Sequence, residues 1–185
     1  MGAWYGYGLL AGVLIVAAII DCRTGRIPNA LTLPAMVAGL ALWSWHGLLE
    51  AGAAGALAGA GHCGLVLMIA FLPCTLLVLM GAMGGGDAKL IGAIGALSAD
   101  WRFVLGTAFY AFVLGTAMAI ALMVHHRLVR RTAMRLLMAV LTLAGRRRPA
   151  LAGDGPRVPM GAALLGGALI AGLERFGVLT WPWTP

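Results

Sequence analysis

Apolar residues fill most of the chain in long runs, and polar residues interrupt these runs at only a few places. The runs are continuous rather than alternating, and several reach the length of about 20 residues that an α-helix needs to cross a bilayer. We therefore predict an all-α, polytopic membrane protein that forms a single domain over residues 1–185. The predicted spans are approximately residues 4–22, 30–49, 51–80, 88–99, 103–124 and 158–179.

Composition and charge support this prediction. Hydrophobic residues make up 62% of the chain and charged residues only 10%, whereas a soluble domain covers itself with many more ionised side chains. The formal net charge is +7, but seven arginines lie between Arg127 and Arg148, beside an apolar run. That arrangement is typical of membrane topology and of contact with anionic lipid, so no nucleic-acid partner is predicted.

Residues 125–157 are predicted to form a basic cytoplasmic segment between the fifth and sixth spans. Arg127, Arg131 and Arg135 recur every four residues, which indicates a helix with one charged face at the membrane interface. The favoured interpretation is a loop that sets the topology. A helix that senses lipid or docks a partner is the alternative.

Basic residues also orient the spans. Arg23 and Arg26 follow the first span, so that loop is predicted to be cytoplasmic. With one crossing per span, the turn near residues 46–50 lies outside and residues 84–89 lie inside. All strongly basic loops then fall on one side of the membrane.

Two of the six acidic residues stand out because both occur at the cytoplasmic ends of spans. The other four lie at predicted outer turns, in the polar loop or beside an arginine: Glu50, Asp100, Asp154 and Glu174. Asp21 ends the first span and Asp87 begins the fourth, so a helical bundle can bring them together. Each also has a local explanation, since Asp21 can pair with Arg23 or Arg26 and Asp87 can cap a helix.

Two carboxyl groups held close together share a proton, because both cannot ionise cheaply. One can then activate a water molecule while the other polarises a carbonyl group, which is the arrangement of aspartic proteases. Gly84, Gly85 and Gly86 have no side chains to block an extended peptide substrate, although a flexible turn would also explain them.

Small residues also form two G-x-x-x-G patterns, at Gly8–Gly12 and Gly55–Gly59. Such patterns let membrane helices approach each other closely. Packing within one chain is the favoured interpretation, and a homodimer remains an open alternative.

Three stretches of this sequence resemble the type IV prepilin peptidases, which belong to the wider G-x-G-D intramembrane aspartyl proteases. They are "DCRTGRIPN" from Asp21, "GGGDAKL" from Gly84 and "VPMGAALLGG" from Val158. In the last stretch Met160 stands where the family usually has an aromatic residue. The resemblance covers most of the chain in the order of its motifs.

The resemblance implies that Asp21 and Asp87 are catalytic and that Gly84, Gly85 and Gly86 shape the path of the substrate. Lys89 is assigned to the same substrate site, with snorkelling to the interface as its alternative. No metal or other cofactor is implied. The implied substrate is a prepilin, in which a short basic leader precedes a hydrophobic helix.

The resemblance also implies cleavage at the cytoplasmic face of a bacterial inner membrane, with the protein surrounded by lipid. Larger family members carry an insert with paired C-x-x-C motifs and N-methylate the processed pilin. Neither the insert nor a C-x-x-C motif occurs in this sequence, so methylation is not implied. The chain resembles the short, peptidase-only form associated with Tad/Flp-type pili.

Two other function classes are compatible with a pair of membrane aspartates. A proton-coupled carrier relays protons through such groups, but carriers usually show inverted repeats and sites near the membrane midplane. No convincing repeat is present here, and both aspartates lie at one end. A non-enzymatic assembly subunit would use the glycines for packing and would tolerate asparagine at both aspartate positions.

Overall fold

The computed structural model describes residues 3–126, 134 and 158–178. The prediction of an all-α fold is confirmed, because this part of the chain is helical and contains no strand. Its helices are α1 (Ala3–Thr24), α2 (Asn29–Leu79), α3 (Gly85–Ser98), α4 (Trp101–His125) and α5 (Met160–Arg175). The chain divides into two compact units, one of residues up to 114 with those from 159 onward, and one of residues 115–158.

Helix α2 is a hairpin of two arms, residues 29–50 and 53–79. Its helical geometry breaks at Ala51 and Gly52, where Gly52 has φ 65° and ψ −150°, a conformation that residues with a side chain rarely adopt. Gly47 contacts Gly55 although they are eight residues apart, and the backbones of Gly59 and Trp43 are also in contact. The arms therefore run antiparallel, and the break lies where the second and third predicted spans meet.

Glycines in the left-handed conformation end the helices beside the aspartates. Gly25 has φ 63°, and its amide donates a hydrogen bond of 2.7 Å to the Asp21 carbonyl oxygen. Gly81 has φ 74°, and the amides of Gly81 and Ala82 donate to Val78 and Leu77 in a Schellman motif. These turns close α1 and α2 at the end of the bundle that carries Asp21 and Asp87.

Helix α3 forms the centre of the first unit. It packs on both arms of α2, because Gly39 of the first arm touches Ala96 and Ala70 of the second arm touches Gly95. Its 14 residues extend about 21 Å, less than the roughly 30 Å hydrocarbon core of a bilayer. From Leu90 to Ser98 every residue is buried, so protein rather than lipid surrounds this helix.

At the opposite end of the first unit, Asp100 links α4 to α5. One of its oxygens accepts hydrogen bonds from the amides of Arg102 (2.9 Å) and Phe103 (3.3 Å), which caps α4. The other oxygen pairs with the Arg175 guanidinium at 3.0 Å, at the end of α5. Asp100, which the sequence assigned to an outer turn, is therefore distant along the helices from Asp21.

Within the described residues, α1, α2 and α4 are long and apolar enough to cross a membrane. Since α2 folds back on itself, the described helices are compatible with the six predicted spans, and that number stays a prediction. The predicted basic segment at 125–157 lies almost wholly outside the described residues, as does residue 179 at the end of the last predicted span.

Candidate active site

Asp21 lies in the last turn of α1, and its side chain is only 7% exposed. Its Oδ2 atom accepts a hydrogen bond of 2.7 Å from the backbone amide of Gly161, in the first turn of α5. The first amides of a helix have no partner inside the helix, so they are good donors to a carboxylate. Neither Arg23 nor Arg26 forms an ion pair with Asp21 in the described structure. The alternative explanation of Asp21 as an arginine partner is therefore wrong.

Asp87 is the third residue of α3 and is half-buried. The N-cap of α3 is Gly84, and no side chain caps this helix, so the alternative explanation of Asp87 as an N-cap is wrong. An acidic side chain in the first turn still interacts favourably with the helix dipole. Asp87 therefore lies at a helix end, but its carboxyl group does not accept hydrogen bonds from the backbone amides there.

The structure brings these two aspartates together. Helices α1 and α3 pack against each other, and the loop that follows Asp21 meets the residue before Asp87, because Ile27 contacts Gly86. The two residues are 66 positions apart in the chain. We refer to Asp21 and Asp87 as the aspartate pair.

The three glycines before Asp87 have different surroundings. A Cβ atom at Gly84 would lie 2.8 Å from Oδ2 of Asp87, and a Cβ at Gly86 would lie 3.2 Å from the Cβ of Ile27. A Cβ at Gly85 would meet only a Val78 methyl group, at 4.0 Å. A side chain at the first or third position of G-x-G-D would therefore displace Asp87 or crowd Ile27, whereas the second position has space for one.

Lys89 connects the two aspartate motifs. Its Nζ atom donates a hydrogen bond of 2.8 Å to the Oδ1 atom of Asn29, the first residue of α2. Asn29 ends the "IPN" stretch, whose Ile27 packs against Gly86. The loop after α1 and the first turn of α3 are thereby held together beside the aspartate pair.

Two residues of this region were not assigned to the site from sequence. Asn29 belongs to the "IPN" stretch, but nothing in the sequence named Lys89 as its partner. Gly161 lies in the "VPMG" stretch, whose resemblance to a family motif was the available signal. A backbone amide is the group that acts at Gly161, so its residue type alone did not suggest a role.

A family model described as the type IV leader peptidase family matches residues 8–120 of this chain. The chain belongs to that family. The matched range includes both members of the aspartate pair and ends before Gly161, so α5 adds a contact from outside the matched range.

Similarity to curated proteins leads to the same family. Two proteins of Burkholderia pseudomallei, from strains 1026b and K96243, are each 35% identical to this chain over 116 residues. Both are named prepilin leader peptidase/N-methyltransferase. The alignment covers 62% of this chain but only 36% of the length of those relatives. No solved structure matches the chain.

The contact between Lys89 and Asn29 is expected to contribute to stability. Lys89→Met and Asn29→Ala should each lower the free energy of unfolding, and the double variant should lose less than the sum. We expect a coupling energy of about 1 kcal/mol, because the hydrogen bond has a charged donor but is accessible to water. Reversible unfolding in detergent, monitored by circular dichroism, measures it. Strict additivity would show that the contact contributes nothing.

Proposed function

We propose that this member of the leader peptidase family is an aspartyl endopeptidase that cleaves the leader from a type IV prepilin. The observation that carries the proposal is the approach of Asp21 and Asp87, from separate helices, at one end of a helical membrane domain. Family membership and the printed name of the curated relatives support the choice of reaction and substrate.

In the proposed reaction the aspartate pair holds one proton between its two carboxyl groups. The ionised carboxylate takes a proton from a water molecule, whose oxygen attacks the scissile carbonyl carbon. The protonated carboxyl group donates to the carbonyl oxygen and stabilises the tetrahedral intermediate. When the C–N bond breaks, the proton taken from water passes to the leaving amine, and the other carboxylate takes back a proton from a hydroxyl group of the tetrahedral intermediate. One water is consumed, and the pair returns to its starting state.

The amide of Gly161 restricts the way in which Asp21 takes part. Because this amide occupies Oδ2, the side chain is fixed in orientation and its Oδ1 atom remains for water, substrate or Asp87. Preorganisation of this kind matters because a reacting group displaced by about 1 Å loses much of its effect. In this proposal α5 is therefore a structural part of the active site.

The first turn of α3 is the proposed approach for the substrate. Gly84 and Gly85 are exposed and carry no side chain, so an extended peptide can approach their backbone closely. Gly86 is packed against Ile27 and supports this surface from behind. Lys89 is engaged with Asn29, so we propose that it shapes the site mainly by joining the two motifs.

The proposed location is a bacterial inner membrane, crossed six times, with the aspartate pair at the cytoplasmic face. The orientation rests on Arg23, in the last turn of α1, and on Arg26, just after that helix, at the end of the molecule that carries the pair. A prepilin has its leader on that side of the membrane, so the junction to be cleaved would lie at the depth of the pair. Surrounding lipid is part of the proposal, while N-methylation and dimerisation are not.

The direct test uses purified protein in lipid nanodiscs and a prepilin encoded near its gene. The expected result is a smaller product whose new N-terminus, read by mass spectrometry, lies at the junction of leader and hydrophobic segment. Cleavage should persist in EDTA, because the proposed mechanism uses no metal. An intact prepilin in every condition, with a correctly folded protein, would contradict the proposal.

The surroundings of the three glycines predict an unequal tolerance to alanine. Gly84→Ala and Gly86→Ala should lower kcat/KM about tenfold, because the new methyl groups would displace the Asp87 carboxyl group and crowd Ile27. Gly85→Ala has space and should retain wild-type activity within about twofold. Prepilin cleavage by the three matched variants measures this, and equal losses at all three positions would refute the steric explanation.

A further inference from the structure

An apolar groove of about 310 Å³ runs between α1 and α5. We call it the α1–α5 groove, and no charged residue lines it. Its lining residues are Tyr7, Leu10, Ala11, Leu14, Ile15, Phe103, Leu165, Ala168, Leu169, Gly172 and Phe176.

The two helices that form the groove also carry the Asp21–Gly161 hydrogen bond. The helices run antiparallel, since Trp4 stacks on Phe176 at 4.7 Å at one end and Gly161 binds Asp21 at the other. Leu14 precedes Asp21 by seven residues, which is about 10 Å along the helix. The groove therefore extends from near the aspartate pair toward the opposite end of the first unit.

Small residues beside the groove have no partner in the described structure. A Cβ atom at Gly8, Gly12 or Gly172 would meet no atom within 4 Å, and Gly172 lines the groove itself. Positions 8, 12 and 15 follow one line along α1, and Ile15 also lines the groove, so the two glycines border it. The expectation that Gly8–Gly12 packs within the chain is therefore wrong for the described residues.

The other G-x-x-x-G pattern behaves differently. Gly55 and Gly59 pack tightly against Gly47 and Trp43 in the α2 hairpin, as predicted. The chain thus uses one small-residue pattern for its own packing and leaves the other open beside an apolar groove. Small residues at an open helix face permit close approach of another membrane helix.

We propose that the α1–α5 groove binds the apolar membrane helix of the substrate, which lies along α1 and α5 with its cytoplasmic end at the aspartate pair. This inference rests on the proposed function and adds a second surface at which the protein binds its substrate. The uncharged lining matches an uncharged helix. From Tyr7 to Asp21 the path is 14 residues, about 21 Å, which is two thirds of the hydrocarbon core.

The position of the groove favours the substrate over a second copy of this chain. The groove leads toward Asp21 at one end, because the last turn of α1 meets the first turn of α5 at the Asp21–Gly161 contact. A substrate whose scissile bond adjoins an apolar helix needs such a path. A second copy would gain nothing from ending at the aspartate pair.

Gly172→Leu and Gly12→Leu test this proposal by filling or crowding the groove. Gly64→Leu is the matched control, because Gly64 also has open space around its Cβ position but lies on the second arm of α2, outside the groove. Each variant is assayed on the full-length prepilin and on a short peptide that spans the same junction without the apolar helix. Fold is monitored by circular dichroism.

The quantity compared is the ratio of kcat/KM on the full-length prepilin to kcat/KM on the short peptide. For Gly172→Leu and Gly12→Leu we expect this ratio to be about tenfold lower than in the wild type, mainly because KM for the full-length prepilin rises. Gly64→Leu should leave this ratio unchanged. An unchanged ratio in both groove variants, which includes equal losses on the two substrates, would overturn the proposal. A wild-type protein that cleaves neither substrate would instead overturn the proposed function.

Chemical cross-linking measures how much of each variant forms a dimer. If the groove variants change the yield of dimer and leave the ratio unaltered, the groove binds a second copy of this chain, which would also overturn the proposal. A direct complement is Leu169→Cys with a cysteine in the apolar helix of the prepilin. Leu169 lines the groove and is 59% exposed. A disulfide with the prepilin is expected at Leu169→Cys but not at Leu65→Cys, a similarly exposed position on α2, and the reverse pattern would contradict the proposal.

Discussion

Asp21→Asn and Asp87→Asn should each reduce prepilin cleavage about 10³-fold or more while leaving the fold intact. Asparagine is nearly the same size as aspartate, so packing around α1 and α3 is preserved. It cannot ionise, and an amide can neither activate water nor pass a proton as a carboxyl group does. In Asp21→Asn the side-chain amide oxygen would still accept the hydrogen bond from Gly161, which keeps α1 and α5 together.

Single-turnover cleavage of the prepilin in nanodiscs provides the measurement, with circular dichroism as the check on folding. Glu50→Gln is a matched control, because Glu50 is an exposed carboxylate beside His46 at the tip of the α2 hairpin, at the opposite end of that arm from Asn29. It should cleave at the wild-type rate. A folded Asp21→Asn or Asp87→Asn variant with substantial activity would remove that residue from the proposed mechanism.

The double variant provides a sharper test of the aspartate pair as one unit. Groups that act together are strongly non-additive, so losing both should cost little more than losing one. If the protein were a carrier or an assembly subunit, the result would differ. The wild type would cleave no prepilin, and both single variants would still assemble. If the fold-loss in the double variant equalled the product of the two single fold-losses, the two carboxyl groups would act independently, in separate steps.

Gly161→Ala should lower kcat about 10²-fold, although it adds only one methyl group. Its Cβ would lie 3.0 Å from the Cβ of Asp21, 3.1 Å from Oδ2 and 3.3 Å from the Ala17 carbonyl oxygen. All three distances are shorter than an ordinary van der Waals contact, so α1 and α5 must separate, or Asp21 must turn, by a few tenths of an ångström. Either movement lengthens the hydrogen bond that orients the carboxyl group.

Gly106→Ala is the control for the packing of α5. A Cβ at Gly106 would meet the Cβ of Ala171 in α5 at 3.5 Å, an ordinary contact. It should preserve kcat, whereas Gly161→Ala should lower kcat with little change in KM, because it disturbs the reacting group. A Gly161→Ala variant with wild-type kcat would show that the contact with Asp21 has no role in catalysis.

Most of the helices, and their order along the chain, could be predicted from the sequence. Continuous apolar runs indicate helix, because lipid-exposed backbone must satisfy its own hydrogen bonds. The break at Ala51–Gly52 falls where two predicted spans meet, and Asp87 lies in the first turn of a helix close to the predicted start at residue 88. Local signals of this kind depend only on neighbouring residues.

The details of the aspartate pair depended on contacts between distant residues. The G-x-G-D pattern did not explain why its two glycines differ from Gly85, which became clear once Ile27 lay against Gly86. Likewise, Lys89 had several compatible roles until its hydrogen bond to Asn29 was known. Both facts require knowledge of which side chains from separate segments meet.

An all-α membrane fold and the interest of Asp21 and Asp87 could be inferred from the amino-acid sequence alone. This was possible because continuous apolar runs, and isolated charges within apolar surroundings, are properties of short segments. The packing of the helices was needed to show that the Gly161 amide binds Asp21 and that Gly8, Gly12 and Gly172 lack partners in the described part of the chain. Almost every residue has a backbone amide, and the letter for glycine does not tell what surrounds it, so these roles depend on the packed arrangement of α1 and α5.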